Sequence, residues 1–181
     1  GKPVAEQDIG RQLLKETAAY AESSLCRRKL LLHYFGENYE KPCRENCDNC
    51  KHPKQQVEAK QNLTKALEVI IAIKENFRDD YIKDVLMGHK TEEVCAHHHE
   101  DLEVFGTGED VDERVWNAVL RQALISGYID KNVDNYGVLK VTAQGRKFLQ
   151  RPEPFLIVED RNYEDDELEP EPQAGAASAV D

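Results

Sequence analysis

The sequence lacks several features that would define a membrane protein or an ATPase. It contains no run of about twenty apolar residues, the length that a membrane-spanning helix needs. It opens with GKPVAEQ, without the apolar segment of a secretory signal peptide. It also has no G-x-x-x-x-G-K-[ST] motif, whose glycines and lysine hold nucleotide phosphates. We therefore expect a cytoplasmic chain with no transmembrane helix and no ATPase activity of its own.

Positive charge is scarce as well. Lys and Arg number 24 against 35 Asp and Glu, and the formal net charge is −11. A charge of that sign offers nucleic acid no strong general attraction. The excess is uneven, because residues 1–60 carry +2, residues 61–150 carry −5 and residues 151–181 carry −8. Local binding of nucleic acid is therefore compatible with the composition.

Four of the five cysteines are concentrated in one segment, at Cys26, Cys43, Cys47 and Cys50. Sixteen residues separate the first two, three the next two, and two the last two. Thiolates close together on a turn, joined by one from a helix, suit a tetrahedral S4 site. Two disulfides or four free thiols are alternatives, but cysteine clusters in cytosolic proteins more often bind metal. We predict one structural Zn²⁺ per chain.

The chain divides into three parts. Residues 1–60 are expected to form a helical zinc-binding module that ends in a polar linker from Lys51. Residues 61–150 are expected to form one compact domain. Residues 151–181 contain four prolines and a DDELE block, and they are expected to be an acidic disordered tail or linker.

Residues 61–150 have the pattern of three helices followed by a β-hairpin. Apolar spacing predicts helices that begin at Asn62 or Thr64, that span Asp80–Met87, and that run from about Val111 to Ser126. Strands follow at 128–133 and 137–141, and Thr142 is predicted to cap a last helix. This order is typical of a winged helix. The expected fold class is mainly α with a small β-hairpin.

The helix after Cys26 is predicted to run to about Phe35. Its apolar side chains are expected on the inner side: Leu30, Leu31, Tyr34 and Phe35. The three basic residues at 27–29 have two interpretations. They contact phosphate or a neighbouring protein lobe, or they form a solvated face with salt bridges inside the module.

Two sets of motifs resemble the C-terminal region of RecQ-family DNA helicases. CRRKLLLHYFGE followed by PC and CDNC resembles the zinc-binding segment of that family, with three rather than two residues between the second and third cysteines. YIKDVLMG, His99 before EDLEVFGTG, the Trp116 helix ending in RQALISGYI, and LKVTAQGRKFL resemble its winged-helix half. The resemblance extends from about Pro3 to Leu149.

The resemblance implies the DNA-binding accessory region of an ATP-dependent 3′–5′ DNA helicase that acts in replication, recombination and repair. Its ATPase lobes are expected before residue 1. The implied partners are duplex or forked DNA bound without sequence preference, those ATPase lobes, and a single-stranded-DNA-binding protein or other repair proteins. A zinc-containing winged-helix transcription regulator and a protein-interaction scaffold are the alternative functions.

The predicted DNA contacts are cationic side chains on the third helix, the hairpin and the last helix: Arg114, Arg121, Lys131, Lys140, Arg146 and Lys147. Ordinary surface charges are the alternative interpretation. The glycines of 106–108 permit close approach of a backbone, and the N-terminus of the third helix offers N–H groups to a phosphate. Tyr136, in the hairpin turn, is a candidate for stacking on a terminal base pair, or else a hairpin packing residue.

Three consecutive histidines at 97–99 precede Glu100 and Asp101 and could indicate a second metal site. Adjacent residues rarely converge on one ion, so we expect a loop in which His99 is packed. Cys95 is not expected to be a ligand. Trp116 is expected in the core.

Overall fold

The computed structural model describes residues 4–37, 39, 41, 43, 46–132 and 137–158. The helices are α1 (Val4–Glu22), α2 (Arg27–Tyr34), α3 (Asp48–Lys51), α4 (Lys60–Ala72), α5 (Asp79–Met87), α6 (Glu92–Ala96), α7 (Glu113–Ile125) and α8 (Ala143–Gln150). The strands are β1 (Gln56–Glu58), β2 (Ile129–Asn132), β3 (Val138–Val141) and β4 (Leu156–Val158), and a 3-10 turn spans His99–Asp101. Within these ranges, no helix combines the length and apolarity that crossing a membrane requires.

Local capping signals set several helix boundaries. The Asp112 carboxylate accepts from the backbone N–H of Arg114 at the start of α7, and the Thr142 hydroxyl accepts from Gly145 at the start of α8. Gly88 ends α5 with a φ of +74°, a left-handed conformation that glycine adopts readily. The predicted cap at Thr142 is confirmed, and α5 ends at Met87 as predicted. The sequence reasoning missed α6, which Thr91 caps.

The core of residues 59–158 is built around α4, which packs against α5, α7, α8 and β3. The buried face of α4 carries Leu63, Leu67 and Ile70, each with no exposed surface. Burying such a side chain stabilises the fold by about 1.5–3 kcal/mol. Trp116 on α7 is also fully buried, so its predicted core position is confirmed.

Two antiparallel pairs of strands complete this domain. The β2–β3 hairpin sets Ile129 opposite Val141 and Asp130 opposite Lys140. The second pair joins β1 to β4, with Val57 opposite Ile157. The helices α4, α5 and α7 with the following hairpin match the predicted winged-helix order, and the mainly helical fold class is confirmed.

The β1–β4 pair differs from the expected linker and tail. Residues 56–58 were expected in a linker and residues 151–158 in a disordered tail, yet they pair with each other. Phe155 and Ile157 are buried, and the Glu58 carboxylate accepts from the backbone N–H of both Lys60 and Phe155. The ordered domain therefore continues to Val158. The remaining residues of the predicted tail, 159–181, lie outside the described residues.

The N-terminal module leaves apolar side chains exposed. On α2 and the residue that caps its C-terminus, the exposed ones are Leu31, Tyr34 and Phe35. The predicted inward orientation of these three is wrong, because α2 is short and no described element covers them. On α1 the exposed apolar side chains are Ile9, Leu13, Leu14 and Tyr20. This module contacts the winged helix through ion pairs, Lys15 with Asp80 and Glu16 with Lys131.

Candidate metal centre and nucleic-acid surface

The structure brings the four predicted thiols together. Cys26 precedes the first turn of α2, Cys43 lies in the segment after it, and Cys47 and Cys50 flank the start of α3. The four sulfur atoms all lie within 4.8 Å of one another. No histidine joins this group among the described residues. Residues far apart in sequence thus supply one compact set of donors.

The donor set fits a tetrahedral metal ion. A zinc ion with four sulfur ligands at about 2.3 Å places the sulfurs about 3.8 Å apart, within the limit that the cluster sets. Four thiolates leave no position for water or substrate, which is the pattern of a structural site rather than a catalytic one. The cluster would therefore link α2 to α3 through the metal.

The thiols differ in how readily they lose a proton. Burial favours the neutral form of Cys47, but hydrogen bonds from the backbone N–H groups of Arg27 and Cys50, together with the neighbouring thiols, lower its pKa to about 7. Burial raises the pKa of Cys50, and neighbouring thiols raise it further. Burial also raises the pKa of Cys43. A bound cation would favour all four thiolates, so metal binding releases protons.

Hydrogen bonds hold the residues around Cys26 and the CDNC turn of Cys47 and Cys50 next to each other. The buried Asn49 side chain donates to the carbonyl oxygens of Ser23 and Leu25, each at 2.7 Å. Arg27 forms a two-pronged ion pair with Asp48, at 3.0 and 3.2 Å. These contacts tie the CDNC turn to the residues just before Cys26. Asn49 and Asp48 were missed in the sequence, although both lie between two predicted ligands.

Arg27 therefore acts inside the module, which favours the salt-bridge interpretation for this one of the three basic residues. Its guanidinium also donates to the backbone carbonyl oxygens of Tyr20 and Ala21 at the end of α1. Arg28 is exposed and lies over the ring of Tyr39, 5.9 Å from the centroid. Arg27 is thus held by contacts within the module, whereas Arg28 is exposed.

The predicted DNA contacts fall on one helix pair and the hairpin, and several are engaged in internal ion pairs. Lys131 bonds to Glu16 at 2.7 Å, Arg146 to Glu75 at 2.7 Å, and Arg114 to Asp112 at 3.1 Å. Arg121 lies partly buried on α7. Lys140 on β3 and Lys147 on α8 are exposed. Tyr136 lies outside the described residues, so its predicted stacking role stays a prediction.

Two of the proposed phosphate-binding features have other uses in the structure. The Asp112 carboxylate already caps the N-terminus of α7, and this lowers the pKa of Asp112 through the N–H of Arg114. Gly108 lies against Trp116, so that an added Cβ would be 2.2 Å from the indole ring. The indole N–H donates to the Gly108 carbonyl oxygen at 3.2 Å. The absence of a side chain at Gly108 therefore serves the core.

The histidine segment is partly packed, as expected for His99. The His99 Nδ1 atom lies 2.6 Å from the Tyr81 hydroxyl, and burial lowers the pKa of His99. His97 and His99 both contact the Phe77 ring edge to face. Cys95 is not grouped with any metal-type donors among the described residues. These contacts fix the segment that follows α6 against α5.

Fold and site together define a helical module with a four-cysteine metal centre, followed by a winged-helix domain. The RecQ zinc-binding family matches residues 2–51, and the RQC domain family matches residues 53–166. The chain belongs to the RecQ helicase family and carries the zinc-binding and RQC domains of that family.

Relatives come from bacteria and from yeast. The ATP-dependent DNA helicase RecQ of Pasteurella multocida is 33% identical over 88% of this chain and 26% of its own length. That of Haemophilus influenzae is 29% identical over 86% of this chain and 25% of its own length. The ATP-dependent helicase SGS1 of Saccharomyces cerevisiae is 26% identical over 75% of this chain and 10% of its own length. The chain spans about a quarter of the length of the two bacterial relatives.

Proposed function

We propose that this chain is the DNA-binding accessory region of an ATP-dependent 3′–5′ DNA helicase that acts in replication, recombination and repair. It holds duplex or forked DNA while ATPase lobes of the same protein drive unwinding. The observation that carries the proposal is that a four-cysteine centre precedes an RQC winged-helix domain in this chain, which is similar to proteins named ATP-dependent DNA helicases. The chain itself contains no phosphate-binding loop.

The DNA surface that we propose is formed by Lys140, Arg146 and Lys147, which are exposed on β3 and α8. Cations on successive elements contact phosphates without reading bases, so binding is independent of sequence. Asp130 lies opposite Lys140 in the hairpin, and Glu75 pairs with Arg146. These carboxylates weaken the local potential, and binding is therefore expected to need low salt.

Charge reversal on this surface tests the proposal. We expect the double variant Lys140→Glu, Lys147→Glu to bind fluorescent forked duplex more weakly, and its salt slope to fall by about 2. Lys54→Glu is the matched control, because Lys54 is exposed and lies outside the proposed surface. Equal affinities of the double variant and the control at low salt would exclude this surface from the interface.

We also propose that Zn²⁺ occupies the four-cysteine centre. Four thiolates favour a metal ion that accepts sulfur ligands in tetrahedral geometry. Zinc does so and undergoes no redox chemistry, which suits a structural role. Metal analysis of the purified protein is expected to give about one zinc per chain, and none in Cys26→Ser. Iron or no metal in the wild type would contradict this assignment.

The exposed apolar side chains of α1 and α2 support a second contact, with the ATPase lobes. Leu14 is 72% exposed and Phe35 71% exposed, and five further apolar side chains of this module are exposed as well. Apolar side chains exposed in such number are usually covered by protein. Phe35→Ser is expected to weaken binding of separately purified ATPase lobes while leaving the metal content unchanged. Unchanged binding would favour another partner, such as a single-stranded-DNA-binding protein.

A further inference from the structure

A second group of metal-type donors lies in the segment after α6. His98, Glu100 and Asp101 each place one ligand atom within 4.8 Å of the others. Adjacent residues rarely converge on one ion, but the turn brings one donor atom of each of these three side chains close together. His98 caps the 3-10 turn that spans His99–Asp101, and this tight turn keeps the side chains of His98, Glu100 and Asp101 within reach of one another.

The backbone separates the two neighbouring histidines. His98 has a φ of +56°, a left-handed conformation that is uncommon for residues other than glycine. It is exposed, whereas the His99 ring is held by the Tyr81 hydroxyl. The turn therefore directs the His99 imidazole inward for packing and leaves the His98 imidazole exposed beside the two carboxylates.

Glu100 supplies an independent observation. Its Oε2 atom is buried and has no hydrogen-bond partner, a condition shared only with Ser24 Oγ among the buried side-chain oxygens of the described residues. A charged oxygen shielded from water without a partner is strongly unfavourable. A cation bound by the Glu100 carboxylate would give this side chain a compensating interaction.

The surrounding charge also favours a cation. Burial raises the pKa of Tyr81, which lies next to this turn, and the carboxylates of Glu93, Glu100 and Asp84 raise it further, to about 12. A negative local potential disfavours the tyrosinate and would favour a bound positive ion.

We propose that His98, Glu100 and Asp101 bind one divalent first-row transition metal ion, separate from the ion of the four-cysteine centre. One imidazole nitrogen with two carboxylate oxygens suits manganese, cobalt or zinc better than magnesium or calcium, which take oxygen ligands alone. His98 and Asp101 are exposed, so water fills the remaining coordination positions.

Manganese is the probe, because thiolates bind Mn²⁺ far more weakly than Zn²⁺. Added Mn²⁺ therefore leaves the zinc in the four-cysteine centre. Zinc-loaded full chain is titrated with Mn²⁺, and the free ion is followed by its electron paramagnetic resonance signal. We expect one bound Mn²⁺ per chain. Glu100→Gln keeps the shape of the side chain and removes its charge, and it should weaken binding by about tenfold or more.

Glu103→Gln is the matched control, since Glu103 is an exposed carboxylate two residues beyond the group. Equal losses in Glu100→Gln and Glu103→Gln, or no saturable binding by the wild type, would overturn the proposal. A second measurement does not depend on the variants folding. In the wild type, Mn²⁺ should broaden the ring-proton signals of His98 well before those of His52, and simultaneous broadening of both would also overturn it.

Discussion

The side-chain amide of Asn49 donates a hydrogen bond to the carbonyl oxygen of Leu25 at 2.7 Å, although the two are 24 positions apart in the sequence. A second bond from the same amide reaches the carbonyl oxygen of Ser23. Leu25 directly precedes Cys26, and Asn49 lies between Cys47 and Cys50. The polypeptide itself therefore positions the two halves of the metal centre, and the metal completes a partly organised site.

Asn49→Ala should weaken the metal centre without removing a ligand. The change leaves the buried carbonyl oxygen of Ser23 and the partly buried one of Leu25 without their donor, and we expect a loss of about 1–3 kcal/mol in the free energy of unfolding. Metal affinity, measured by competition with a chromogenic chelator, should fall by about 10- to 100-fold. Asn46→Ala is the control, because Asn46 is exposed in the same loop. If both variants retain wild-type affinity, Asn49 does not organise the centre.

Cys43→Ser should remove metal and destabilise the N-terminal module together. This module has little apolar core of its own, and in such modules metal-binding energy is folding energy. The sole tryptophan, Trp116, lies in the winged-helix core, so its fluorescence should be unchanged while helical circular dichroism falls. Cys95→Ser should alter neither signal, because Cys95 lies outside the cluster. A metal-free Cys43→Ser protein with an unchanged melting temperature would refute this account.

Gly108→Ala should destabilise the winged helix. The new Cβ would lie 2.2 Å from the Trp116 ring, so the backbone or the indole must shift, at a cost of about 1–3 kcal/mol. Gly10→Ala tests the same substitution in open space, since nothing lies within 4 Å of an added Cβ in α1. That change is expected to stabilise α1 by about 0.5–1 kcal/mol. Chemical denaturation followed by Trp116 fluorescence reports on the winged helix and helical circular dichroism reports on α1, and equal small effects in both variants would show that the indole moves freely.

The Glu16–Lys131 ion pair links α1 to the hairpin and should limit DNA binding. Both side chains are about one-third exposed or less, so the pair contributes modestly, about 0.2–1 kcal/mol in a double-mutant cycle. Glu16→Gln removes the competing carboxylate and releases Lys131 toward phosphate. We expect tighter binding of forked duplex at low salt, with no change in Glu22→Gln, an exposed acid later on the same helix. Weaker binding by Glu16→Gln would mean that the ion pair positions the hairpin for DNA.

Sequence reasoning succeeded where the determining interactions are local. Asp112 and Thr142 cap the helices that directly follow them, and Gly88 ends the helix that precedes it, so neighbouring residues suffice to predict each boundary. The four cysteines were recognisable because thiolate spacing on turns is restricted by metal geometry.

Pairing between segments that are distant in the sequence cannot be predicted from neighbouring residues. β1 and β4 are three residues each and lie about 100 residues apart, so neither has the periodicity that identifies a strand. Phe155 follows a proline-containing segment that is typical of a tail, yet it is buried. The inward side of α2 was assigned from apolar spacing alone, which does not show whether a partner element covers Leu31 and Phe35.

The most direct test of the central claim is a titration of the zinc-assayed protein against two fluorescent forked duplexes of unrelated sequence, at several salt concentrations. The account predicts about one zinc per chain, equal affinities for the two sequences, and affinity that falls steadily as salt rises. A strong preference for one sequence would contradict it in favour of a transcription regulator. Loaded zinc without any binding to either duplex would show that this region does not itself hold DNA.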